Sequence, residues 1–174
     1  MESLDEFVAL GSPDWWLLLV VVGLARACDL GSTYLATPRL VLEGNPIARR
    51  LGWRFGIAVN IALAVGFALW PLLAISLSST SLLVAARNLQ SAWIMRSLGE
   101  VGYRLWISER LAEAPRGLPL LCFLGEAVLF GLVGAALLWF SRWQLVPFGI
   151  GLGVSGYAVA VALFTSLSLW RARD

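Results

Sequence analysis

The side chains best suited to chemistry sit in the run "CDLGSTYLATPRLVLEGNPIARR", residues 28–50. Asp29, Ser32 and Thr33 stand at i, i+3 and i+4, so on a helix their oxygens share one face. Glu43 and Asn45 follow after a short connection, and Asn60 can reach the same level from the next helix. Carboxylate, hydroxyl and amide oxygens together suit a hard cation. The same groups could hold an amine-bearing solute or carry protons. The candidate ligand set is therefore Asp29, Thr33, Glu43, Asn45 and Asn60, and Asp29 and Glu43 are the ligands if a metal is held. The competing reading is structural: Glu43 ties the loop and Asn45 caps the next helix.

Further polar groups interrupt the apolar runs: Arg26, Arg87, Asn88, Gln90 and Glu126. A charge at the centre of a membrane helix costs roughly 2.5–3.5 kcal/mol on insertion scales, so such groups are paired or functional. Two cations and two anions balance here. Arg26 and Asp29 are three residues apart and can meet on one helix face. Arg87 can pair with Glu126 between helices, while Asn and Gln bridge helices.

Several chemistries are excluded. The chain has no histidine, which removes His-ligated haem or zinc and His-based acid–base catalysis. Cys28 and Cys122 lie in apolar runs and read as small hydrophobes. "GVSGY" at 153–157 follows no strand and has no triad base, so it is no nucleophile elbow. No catalytic residue is assigned. A net charge of +2 without a basic patch gives no nucleic-acid footprint.

The elements that must position these groups are membrane helices. The chain of 174 residues is 59% hydrophobic and 14% charged, with a mean hydropathy of +0.80. A soluble domain carries charge on about a quarter of its residues. The apolar blocks approach the ~20 residues that cross a bilayer, which predicts an all-α, polytopic helical bundle in one integral membrane domain (1–174). Five spans are expected, at about 15–36, 54–76, 79–97, 117–140 and 147–170. The run Ser78–Ser79–Thr80–Ser81 reads as the turn between the second and third, with Pro71 as the alternative start of the third. Residues 100–114 have the period of an interfacial amphipathic helix.

Arginines cluster in the 37–54 and 98–116 connections and at the C-terminal "RARD". Five spans put all three on one side, and the excess of arginine makes that side the cytoplasm, with the N-terminus outside. The acidic start "MESLDEF" lacks the basic region of a cleavable signal, so the first helix should be retained. Thr37-Pro38 should end the first helix. Asn45-Pro46 should cap and open the next, carrying Arg49, Arg50 and Arg54 along the interface. Gly125, Gly131, Gly134, Gly149, Gly153 and Gly156 allow close helix approach, within one chain or in a homo-oligomer or with other membrane subunits.

"DLGST" followed by "EGNP" resembles a pattern in an uncharacterised family of small bacterial and archaeal multi-pass membrane proteins. That family carries an Asp–Thr pair in the first span and a Glu-x-Asn-Pro loop before the second. The matching residues here are Asp29, Thr33, Glu43, Asn45 and Pro46. The resemblance implies a bacterial or archaeal cytoplasmic membrane and treats the five residues as a unit; it implies no activity. The sequence thus points first to a small membrane protein that binds and moves a small cation or polar solute in the cytoplasmic half of the bundle. An accessory subunit of a larger complex is the second reading. An intramembrane enzyme on a lipid-type substrate, with Arg49, Arg50 and Arg54 holding phosphate, is the third. Ordinary positive-inside placement also accounts for those three arginines.

Overall fold

Prolines and small polar residues set the helix ends. In the computed structural model, which describes residues 6–115 and 117–171 and side chains as far as 166, Ser12 accepts a hydrogen bond from the Trp15 N–H at 3.2 Å. Pro13 takes the first helical position. This opens α1 (Pro13–Ala36), which stops where Thr37 donates its N–H to Thr33 O ahead of Pro38. Asn45 caps α2 (Pro46–Phe67), its side chain accepting from Ile47 N and Ala48 N. Pro71 opens α3 (Pro71–Glu113); α4 (Gly117–Phe140) and α5 (Leu145–Arg171) follow. The described residues are all-helical.

Among the described residues, four of the five helices are long and apolar enough to cross a membrane: α1, α3, α4 and α5. The protein is an integral membrane protein. The exception is α2, whose first turns carry Arg49, Arg50 and Arg54. Gly52 breaks it with φ 64° and ψ −175°, and Gly99 breaks α3 with φ 71° and ψ 160°. Both values fall in a region open essentially to glycine alone. The breaks divide short helices, 46–51 and 100–113, from the longer helices they adjoin. The helix expected at 100–114 is the segment beyond Gly99, which ends at Glu113.

One boundary differs from expectation. Residues 78–81 are not a turn. The turn lies at 68–70, and α3 runs unbroken through the hydroxyl residues. Ser78 and Thr80 return their hydroxyls to the carbonyls of Ala74 and Ser76, at 2.7 and 3.0 Å, so neither needs water. Their small size matters more. Ala74, Ser78, Ser81, Ala85 and Ala92 form a buried stripe on α3. It faces the stripe Trp15, Val22, Ala25, Asp29, Ser32 and Ala36 on α1. Alternating steps of three and four keep each stripe on one side of its helix.

The packing order is a row, α2–α1–α3–α5–α4. The central α3 packs against α1 on one side and α5 on the other, α4 packs on α5, and α2 touches α1 and α3 lightly. The basic connections meet at one end. Glu100 accepts the Arg39 N–H at 2.7 Å and the Val41 N–H at 3.3 Å, and Arg104 donates to Val41 O at 2.8 Å. Arg116, Arg173 and the acidic start at residues 1–5, used in reading the orientation, lie outside the described residues.

Candidate functional site

Arg26 gathers three helices. Its position on α1 lies three residues before Asp29, and its Nη1 donates to Asp29 Oδ2 at 2.5 Å. Nη1 also lies 2.9 Å from Ser81 Oγ on α3. Nε donates to Asn60 Oδ1 on α2 at 2.7 Å, and Nη2 donates to the same oxygen. Asn60 is set in place by its amide, which donates to Gly56 O at 2.7 Å one turn back. The Arg26 and Asp29 side chains are 20% and 13% exposed, so the pair is largely withdrawn from its surroundings. Removing one partner from a buried pair leaves an uncompensated charge, which makes the pair mutually dependent.

A second polar layer lies one turn along. Asn88 on α3 donates to Thr33 Oγ1 at 2.9 Å and to Ser32 Oγ at 3.3 Å. Ser32 donates its own hydroxyl hydrogen bond to Asp29 O at 2.8 Å. The Asp29, Ser32 and Thr33 face is therefore real, but Asn88 and Arg26 meet it rather than Glu43. On the other side of α3, Arg87 lies 3.6 Å from Glu126 on α4, and Tyr157 on α5 donates to Glu126 at 3.1 Å. Both expected ion pairs form.

The structure divides the anticipated ligand set. Glu43 Oε1 accepts the Asn45 N–H at 2.8 Å, and Asn45 caps α2. No hydrogen bond joins Glu43 to Asp29. Asp29, Thr33 and Asn60 are brought into the polar core, while Glu43 and Asn45 order the loop beside it. No group of three or more His, Cys, Asp and Glu side chains gathers for a metal ion among the described residues. The first coordination partner of Asp29 is a guanidinium, so a bare cation there would have to displace Arg26. Arg49, Arg50 and Arg54 are all exposed on the first turns of α2.

Sequence reasoning missed three participants. Ser81 was assigned to a turn, although its spacing from Ala74, Ser78 and Ala85 marks it as part of a helix face. Tyr157 enters the sequence reading only as the last residue of "GVSGY", the run rejected as a nucleophile elbow. Glu100 was placed at the start of an interfacial helix, yet it fixes the loop 37–42. It takes the N–H groups on both sides of Leu40, which is buried with φ 57°. A leucine in that left-handed region is uncommon and has to be held there by its surroundings. Trp53 adds a further tie, donating its indole N–H to Pro38 O at 2.7 Å.

No family model, curated protein or solved structure matches this chain. The class defined by fold and site is thus an all-helical integral membrane protein with a charged network linking α1, α2 and α3.

Proposed function

We propose that this protein binds a small polar solute at the Arg26–Asp29 pair and moves it across the membrane, with α2 as the element that gives access. One observation carries the reading. Among the described residues, the only side-chain hydrogen bonds from α2 to another helix are those between Asn60 and Arg26. A solute that takes over the donors of Arg26 competes with Asn60 and so acts on the helix least held by packing. Ligands shift such an equilibrium by their differential affinity for the open and closed arrangements.

The chemistry favours a solute with its own hydrogen-bonding groups, acceptors toward Arg26 and a donor toward Asp29, over a bare cation. Ser81 and Asn60 supply uncharged partners on opposite sides of the pair. Intramembrane ionisable groups commonly mark substrate paths. The arginines of the 37–54 and 98–116 connections support a cytoplasmic side there and an N-terminus outside. The resemblance of the Asp–Thr and Glu-x-Asn-Pro pattern favours a bacterial or archaeal cytoplasmic membrane.

Native mass spectrometry of gently extracted protein, wild type beside Asp29→Asn, tests the reading. The expected result is a small molecule retained by the wild type and lost in the variant. Retention of the same species by both, or of other protein chains alone, contradicts it and favours a complex subunit with a structural polar core.

A further inference from the structure

We infer that a second site, independent of the Arg26 pair, binds a phosphate group where the loop after α1 meets the break in α3. A cleft of about 310 Å³ opens there, lined by Ala36, Pro38, Arg39, Met95, Arg96 and Glu100 among others. Arg39 comes from the loop and Arg96 from the last turn before Gly99, so the two guanidiniums belong to different walls. Neither has a hydrogen-bond or ion-pair partner among the described residues.

The one acid in the lining is already engaged. Both oxygens of Glu100 accept backbone N–H groups, from Arg39 and Val41. Those bonds fix the loop that carries Arg39, and Arg104 fixes the same loop through Val41 O. The wall is therefore set before a ligand arrives. One free guanidinium on each wall matches the oxygens of a phosphate, to which arginine donates in pairs. A phosphate has oxygens enough to accept from both guanidiniums at once.

The surroundings suit a headgroup. The cleft begins at the last residue of α1, where a membrane helix reaches its polar boundary. Val101 in its lining is an exposed apolar side chain, as are Leu35 and Leu98, the chain neighbours of the lining residues Ala36 and Gly99. A phospholipid could set its phosphate between the arginines and its chains along these residues, and basic groups at this level attract anionic lipids. Free inorganic phosphate offers the same oxygens without the chains.

The test is native mass spectrometry of detergent-extracted protein supplied with phosphatidylglycerol, with phosphatidylcholine, or with inorganic phosphate. The variants are Arg39→Gln/Arg96→Gln and, as a control of equal charge loss, Arg49→Gln/Arg50→Gln. The expected result is retention of phosphatidylglycerol above phosphatidylcholine by the wild type. Retention falls by about tenfold in Arg39→Gln/Arg96→Gln, in keeping with the loss of charge-assisted bonds, and by less than about twofold in the control, where only long-range charge changes. Each single variant, R39Q and R96Q, is intermediate. Persistence of the lipid against excess inorganic phosphate assigns a headgroup site; binding of phosphate alone, lost in the same variant, assigns a free-anion site. Absence of any phosphate-bearing adduct, or equal loss in both double variants, overturns the proposal.

Discussion

The two ends of the helix row are held by different forces. At the α3–α5–α4 end the backbones nearly touch. A Cβ added at Gly153 would lie 2.5 Å from Ser76 O, one at Gly149 would lie 2.9 Å from Ile75 Cγ2, and one at Gly134 would lie 2.9 Å from Ser155 N. Hydroxyls stitch the same contact, Ser76 to Gly149 O at 3.0 Å and Thr80 to Gly153 O at 2.8 Å. At the α2 end, a Cβ at Gly56 or Gly66 would meet nothing within 4 Å. Most large apolar side chains of α2, Phe55 and Ile61 among them, are exposed, and Ala64 alone is buried. Lipid is as apolar as leucine, so helices in a membrane associate through close van der Waals fit and interhelical hydrogen bonds. One end has the fit and the bonds together. The other relies chiefly on Asn60 and Trp53. The comparison teaches that the firm end is a frame and the loose end is the part able to change.

The largest effect expected is at the frame. Gly153→Val should destabilise the protein by about 3 kcal/mol or more, because the new methyls would meet backbone that cannot move aside. Gly56→Val, on the open face of α2, should stay within about 0.5 kcal/mol of wild type. Thermal unfolding of the two variants in the same detergent checks the pair; equal losses would break the comparison.

Next comes the charged network. Arg26→Ala leaves the Asp29 carboxylate largely buried and unpaired. The loss should be about 2 kcal/mol, less than the 3–5 kcal/mol of a fully buried pair because both groups retain some exposure. Adding Asp29→Asn should restore part of it, since neighbours in one network are not additive. A purely additive double variant would mean that the pair does not act as a unit.

Much of this was legible in the residues. The helical class followed from apolar blocks and sparse charge. The caps at Asn45 and the stop at Thr37 followed from the prolines beside them, because proline restricts its own residue and the one before. The Arg26–Asp29 pair followed from spacing within one helix. Partners from other helices were harder to see. Asn60 could be placed near Asp29 in depth, but only three-dimensional packing decides that its oxygen faces Arg26. Ser81 was obscured because a run of hydroxyl residues suits both a turn and a close helix contact. Glu43 and Asp29 were joined by a symmetry of type, two carboxylates either side of a turn. Local bonding won instead: Asn45 N–H was nearer to Glu43, and Arg26 nearer to Asp29.

A small stability effect belongs to the most informative variant. Asn60→Ala should cost only about 0.6 kcal/mol, typical of one interhelical hydrogen bond in a membrane, yet it removes the tie between α2 and Arg26. Spin-label distance measurements test this directly, with Cys28 and Cys122 replaced and label pairs at exposed sites, Ile61 with Leu82 and Leu132 with Val159. The account predicts that Asn60→Ala lengthens and broadens the Ile61–Leu82 distribution while the Leu132–Val159 distribution stays narrow and unchanged. An Ile61–Leu82 distribution as narrow as the other pair, and unmoved by Asn60→Ala, would contradict it.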